Sequence, residues 1–98
     1  MPMLLFVRGL GSNRDWVERM GDLSVEGVGF DFPSAPKATD FEISFRLPEE
    51  SERRSVLATV TETRPRGRMH FIGARIASES DEVQRAIARS LDARRLKH

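Results

Sequence analysis

Three residues between positions 22 and 27 have the types and spacing of a small-molecule contact. Asp22, Ser24 and Gly27 form the pattern Asp-x-Ser-x-x-Gly. An ionised Asp22 accepts two hydrogen bonds, for example from the paired N–H donors of a guanine edge. Ser24 donates and accepts through its hydroxyl, and Gly27 allows close approach to the backbone because it has no side chain. The pattern alone also fits a tight turn, so its meaning depends on the elements around it.

Residues that could support catalysis or metal binding are scarce. The chain has no cysteine, and its two histidines are His70 and the terminal His98. Two scattered histidines supply neither a Ser–His–acid set nor a clustered metal site. The glycines near Gly27 lead into a strand, whereas a phosphate-cradling loop runs from a strand into a helix. We therefore expect no enzyme activity, no metal site and no cofactor.

Length and composition predict one domain over residues 1–98, with 39% hydrophobic and 32% charged residues. The apolar run from Met3 to Val7 is too short for a signal peptide or a membrane span, so we expect a cytoplasmic protein without membrane insertion. The net charge of +1 combines −4 over residues 1–50 with +5 over residues 51–98. This balance is not typical of nucleic-acid binding, but basic patches could meet a small anion.

Alternation of apolar and polar residues predicts six strands. The clearest covers residues 39–48, where Phe41, Ile43, Phe45 and Leu47 share one face. We place the others over residues 3–9, 14–20, 27–33, 54–64 and 68–77. Val28, Phe30, Phe32, Val56, Ala58 and Val60 are also predicted core residues. Pro65 and Gly67 predict a type I turn over residues 64–67.

The end of the chain has a helical period instead. Val83, Ala86, Ile87, Ser90 and Leu91 recur at helical spacing, which predicts one amphipathic helix over residues of about 79–96. Consecutive strands with short turns favour an antiparallel meander. The predicted fold is therefore mainly β, with six antiparallel strands over about 3–77 that form a small β-barrel or a strongly curled sheet, and one C-terminal α-helix that covers an opening or lies against the outside.

The run from Gly21 to about Leu96 resembles the PilZ domain family. The Asp-x-Ser-x-x-Gly pattern is followed by "VGFDFP", a strand ending in "RLP", a Val/Thr strand, "HFIGARI" and the final helix. The resemblance implies a six-stranded antiparallel barrel with a C-terminal helix and the bacterial second messenger cyclic di-GMP as ligand. It also implies that Asp22 and Ser24 contact a guanine on the outer barrel surface, with Gly27 making room.

One family feature is missing. Ligand-binding members carry an Arg-x-x-x-Arg motif upstream of the Asp motif, but Ser12 stands at the partner position of Arg8 and Glu18 at that of Arg14. Losing two charge-assisted contacts would weaken binding by roughly two to four orders of magnitude. Arg8, Arg14 and Arg19 are the candidate substitutes. Met1 suggests a natural start, whereas an upstream start would leave room for the arginine pair.

Three functions follow as alternatives. The first is a cyclic di-GMP receptor that relays the signal to a pilus, motility or other signalling protein and governs motility, biofilm or virulence outputs. The second is an adaptor of the same fold that has lost the nucleotide and acts only through protein–protein contacts. The third is an unrelated barrel that binds single-stranded nucleic acid through Trp16 and the "RPRGR" tip, although Trp16 is more readily a core residue and no DNA binding is expected.

Overall fold

The computed structural model describes residues 1–11, 15–33, 36, 39–77 and 81–96, which form a closed barrel followed by one helix. Its elements are β1 (Pro2–Gly9), β2 (Val17–Leu23), β3 (Gly27–Phe32), β4 (Asp40–Phe45), β5 (Arg54–Arg66), β6 (Met69–Ile76) and α1 (Asp81–Leu96). The barrel closes in the order β1-β2-β3-β6-β5-β4, and every neighbouring pair is antiparallel. The predicted meander is therefore wrong, because β3 pairs with β6 and β4 pairs with β1, whereas β3 and β4 are not neighbours. The predicted fold, a six-stranded antiparallel β-barrel with one C-terminal α-helix, is confirmed.

The barrel interior holds the apolar side chains that alternate along the strands. Phe41, Ile43 and Phe45 of β4 are buried, and Leu47 continues the series just beyond the strand. Their neighbours in the core include Leu5, Val7, Val28, Phe30, Val56, Ala58, Ile72 and Ile76. The predicted core residues Phe32 and Val60 are half-buried and pack against this cluster. The alternation arises because successive side chains of a strand point to opposite faces.

The β2–β3 hairpin differs from its predicted boundaries. The sequence favoured a strand over residues 14–20 and a turn from Met20 onward, but β2 runs from Val17 to Leu23. Gly21 and Asp22 pair with Met3 and Pro2 of β1, which keeps them in the sheet. A Cβ at Gly21 would collide with the Leu5 side chain, so this glycine serves packing inside a strand rather than a turn.

The turn predicted over residues 64–67 is also displaced. β5 continues to Arg66, and β6 begins at Met69. The two-residue connection places Gly67 first, with a φ of 63°, which favours the hairpin turns that need a positive φ at that position. The glycine rather than Pro65 therefore decides where the hairpin turns, and the arm is longer than predicted.

Helix α1 packs with its predicted apolar face. Ala86, Ile87 and Ser90 are buried, while Val83 and Leu91 are half-buried. Among the described residues, no helix combines the length and the hydropathy that a membrane crossing requires.

The connection between β4 and β5 is joined to α1 by polar contacts. Ser90 Oγ donates a hydrogen bond to the Glu49 carboxylate. Arg54 donates to both carboxylate oxygens of Glu50 at 2.7 Å, and its Nη1 lies 3.5 Å from Glu82 Oε1. The hydrogen bonds from Arg54 hold the pKa of Glu50 below its ordinary value. The pair thus ties the connection to the first turn of the helix.

Candidate functional site

Asp22 stands on the outer surface of the barrel, near the end of β2. Its neighbour Leu23 is fully buried, so the alternation of the strand points Asp22 outward, where 74% of its side chain is exposed. Asp22 Oδ1 lies 2.5 Å from the N-terminal ammonium of Met1. The carboxylate therefore already accepts one hydrogen bond from a cation and stays open to solvent.

Ser24 and Gly27 form the turn that follows Asp22. The Ser24 N–H donates to the Gly27 carbonyl oxygen at 2.8 Å, and the Gly27 N–H donates to Ser24 Oγ at 3.2 Å. Ser24 Oγ in turn donates to the Gly27 carbonyl oxygen at 3.2 Å. The serine hydroxyl thus closes the β2–β3 hairpin, which fixes the direction in which the neighbouring strand presents Asp22.

Gly27 also permits close packing of two strands. A Cβ at this position would collide with the carbonyl oxygen of Ala74 on β6. The missing side chain therefore lets β3 lie directly against β6, independently of any ligand.

Four residues that pair across neighbouring strands form a row on the outer surface, with Asp22 at one end. Asp22 pairs with Gly29, Gly29 with Gly73 and Gly73 with Glu62. Because two glycines stand between the two carboxylates, the surface there is a depression of about 530 Å³. We call this depression the glycine groove, which is lined by Asp22, Gly27, Gly29, Phe71, Gly73 and Arg75, with Glu62 at its far wall.

Phe71 provides an aromatic surface in the glycine groove. A Cβ built at Gly29 would lie 3.0 Å from Cζ of the Phe71 ring, and one at Gly73 would lie 3.6 Å from its Cε1. The ring therefore occupies the space that side chains at these two positions would fill, and it remains half-buried. A half-buried aromatic ring beside a carboxylate suits a flat base, because bases stack on aromatic side chains and offer N–H donors at their edge.

The groove residues on β6 were missed by the sequence reasoning. In "HFIGARI" the buried residues Ile72, Ala74 and Ile76 alternate with Phe71, Gly73 and Arg75. This alternation was the signal that could have placed the latter three on the outer face of the barrel. Within the described part of the chain, no three His, Asp or Glu side chains are close enough together to hold a metal ion.

Arg8 lies away from Asp22. Its Nε and Nη2 donate to Glu42 Oε2 at 3.1 and 2.5 Å, and its guanidinium carbon lies 4.3 Å from the ring centroid of Trp16. Asp22 pairs with Pro2, six residues from Arg8 along β1, which corresponds to roughly 20 Å. The structure does not bring Arg8 to the groove, and the same contact covers Trp16, which is half-buried.

The other two candidate arginines are not brought to Asp22 either. Arg19 pairs with the fully buried Leu5, so it lies on the inward side of β2, opposite to Asp22. Its Nε is buried without a hydrogen-bond partner in the part of the chain that the structure describes. Arg14 lies outside the described residues.

Comparison with curated proteins gives no match. Among solved structures, the Bacillus subtilis inhibitor of motility, MotI/DgrA, is similar with a TM-score of 0.71 and 15% identity, over 99% of this chain and 48% of that chain. A pathogenic protein from Xanthomonas campestris, described as a tetrameric PilZ domain self-assembled through a helical bundle, has a TM-score of 0.63 and 21% identity, over 89% of this chain and 51% of that one.

Because both identities are low, these likenesses show the fold alone. The chain spans about half the length of the two solved structures. The family comparison extends further, because the model of the PilZ domain matches residues 1–93, from the first strand into the final helix. The chain belongs to the PilZ domain family.

Proposed function

We propose that this chain is a cytoplasmic binding module of bacterial cyclic di-GMP signalling, which binds the nucleotide in the glycine groove and relays the signal to a protein partner. PilZ domains are binding and adaptor domains rather than enzymes. The observation that carries the proposal is the exposed Asp22 carboxylate at the edge of a groove floored by glycines. A motility output is favoured because one of the similar structures is an inhibitor of motility.

In this proposal Asp22 accepts the two N–H donors of one guanine edge, and the base lies over the glycines toward Phe71. The nucleotide displaces the Met1 ammonium from Asp22, and the ammonium keeps its hydrogen bond to the Leu23 carbonyl oxygen, so it is not left without a partner. Ser24 holds the turn that presents Asp22, and Gly27 keeps β3 against β6. These roles assign recognition to Asp22 and support to Ser24 and Gly27.

Isothermal titration with cyclic di-GMP tests the proposal. We expect the wild-type chain to bind and Asp22→Ala to lose at least about tenfold in affinity, because charge-assisted hydrogen bonds contribute roughly 1.5–3 kcal/mol each. Glu18→Ala is the matched control, since Glu18 is an exposed carboxylate on the same outward side of β2. Absence of binding heat for the wild-type chain at high micromolar nucleotide contradicts the proposal.

A second candidate is an adaptor that does not bind the nucleotide. This candidate is favoured because neither arginine lies at Asp22. Arg8 is hydrogen-bonded to Glu42, and Arg19 lies on the inward side of β2. Such a domain would contact a pilus, motility or other signalling protein through the barrel face or α1. Asp22→Ala separates the candidates in cells: the adaptor keeps its signalling output, whereas the receptor loses it while the fold remains intact.

A further inference from the structure

The glycine groove is short of positive charge for the ligand proposed above. Its lining includes the carboxylates of Asp22, Glu26 and Glu62. Cyclic di-GMP is a dianion with two phosphodiester groups, and like charges at short range repel one another. A nucleotide bound in the groove therefore needs cations that neither Arg8 nor Arg19 supplies.

We propose that Arg64 on β5 and Arg75 on β6 provide these cations, an inference that rests on the proposed function. Arg75 is exposed on the outward side of β6, where it pairs with Gly27 and lines the groove. Gly27 presents no side chain between Arg75 and the end of β2. The guanidinium of Arg75 is therefore available to an anion lying across the glycine floor.

Arg64 stands at the opposite end of the groove. It pairs with Phe71, and its guanidinium carbon lies 4.8 Å from the centroid of the Phe71 ring. Its Nε is 3.4 Å from Glu62 Oε1 at the far wall. Contacts with two residues that line the groove place Arg64 at its edge, although 60% of the side chain is exposed.

The two arginines flank the residue row that contains Asp22. Phe71, which pairs with Arg64, and Arg75 are four residues apart on β6, a separation of about 13 Å. Gly73 lies midway between them, and it pairs with Gly29, which pairs with Asp22. A base held at Asp22 thus has a guanidinium on each side, so each can reach a phosphate of the same nucleotide.

Both side chains suit phosphate binding. The planar guanidinium of arginine offers paired N–H donors that match two phosphate oxygens. The ion pair between Arg64 and Glu62 is long and exposed on both sides, so exchange of Glu62 for a phosphate costs little. Arg64 and Arg75 also project from paired strands rather than from loops, which fixes the backbone positions from which their side chains extend.

The test compares charge-neutral variants by isothermal titration with cyclic di-GMP. Arg64→Gln with Arg75→Gln keeps long polar side chains and removes both charges. The matched control is Arg46→Gln with Arg85→Gln, since both are exposed arginines outside the groove and the control removes the same net charge. Thermal unfolding of each protein confirms that it is folded.

We expect the groove variant to lose at least about tenfold in affinity and the control to bind like the wild-type chain. A loss below tenfold in the groove variant overturns the inference, while the proposed function stands if Asp22→Ala has lost its binding. Equal losses in the groove variant and in the control also overturn it, because net charge alone then explains them. If the wild-type chain does not bind, the proposed function and this inference both fail.

Discussion

Two glycines of the groove region have different physical roles. Gly27 faces a backbone carbonyl that cannot move without disturbing the pairing of β3 with β6. Gly73 has only ordinary contacts around the position of an added Cβ, the closest being Cβ of Glu62 at 3.5 Å. The first glycine is therefore required by the barrel, and the second is required only by the open groove.

This difference predicts opposite consequences for two alanine variants. Gly27→Ala should lower the free energy of unfolding by about 1–3 kcal/mol, because the methyl group overpacks the contact between two strands. Gly73→Ala should leave the free energy of unfolding within about 0.5 kcal/mol of the wild type. It should nonetheless weaken cyclic di-GMP binding, since a methyl group now stands on the groove floor. Urea unfolding and titration measure the two effects.

Equal stability losses in the two variants would contradict this assignment of roles. So would a Gly73→Ala protein that binds the nucleotide as tightly as the wild type, because the open floor would then be irrelevant. Gly27→Ala alone cannot separate the roles, since a damaged barrel also loses its groove.

Among the elements, the β4–β5 connection is held to the start of β5 by a pH-sensitive ion pair that lies beside helix α1. Hydrogen bonds from Arg54 hold the pKa of Glu50 below its ordinary value of 4.5. The unfolded chain, with the higher carboxyl pKa, therefore takes up a proton first as the pH falls. The contribution of this pair is complete at pH values above 4.5 and is lost as the pH falls through the lower pKa of the folded state.

We accordingly predict that lowering the pH reduces the difference in the free energy of unfolding between the wild-type chain and Glu50→Gln. The wild type should be more stable by about 1 kcal/mol at neutral pH, since the pair is half-buried and doubly hydrogen-bonded. That advantage should disappear as the pH falls below 4.5 and through the lowered pKa of Glu50 in the folded state. Thermal unfolding across pH measures it, with Glu18→Gln as the control carboxylate. Parallel pH curves for the wild type and Glu50→Gln would show that Glu50 is not the titrating group.

Element types could be predicted from the sequence, whereas the boundaries of β2, β4 and β5 could not. The alternation of Phe41, Ile43 and Phe45 and the helical spacing of Ala86 and Ile87 both correspond to buried faces. Gly21 resembled a turn residue because its packing against Leu5 involves a distant strand. Local residue preference therefore identifies strands and helices, and long-range contacts decide where they end.

For the whole molecule, neither the closure of the barrel nor the groove is visible in local pattern. Closure pairs β1 with β4, for example Phe6 with Ser44, and the groove combines residues of β2, β3, β5 and β6. The motif located Asp22, Ser24 and Gly27 near one another. Arg75 could not be predicted as a groove residue, because only the register of β3 with β6 places it opposite Gly27.

The position of the candidate arginines relative to Asp22 could not be predicted from the sequence either. The sequence favoured Arg8, Arg14 and Arg19 because they precede the Asp motif along the chain. Distance along the chain does not predict distance in space in a barrel. Arg8 lies six residues from Pro2, the partner of Asp22, and Arg19 lies on the inward side of β2. Strand parity, once the register is known, separates inward from outward side chains.

The most direct test is a titration of the labelled chain with cyclic di-GMP, followed through backbone amide NMR shifts. We predict that the largest saturable shifts map to Asp22, Gly29 and Gly73, and that the amides of Arg8 and Trp16 on another part of the barrel stay unchanged. No saturable shift at any amide, or shifts centred on Arg8 and Trp16, would contradict a nucleotide site in the glycine groove.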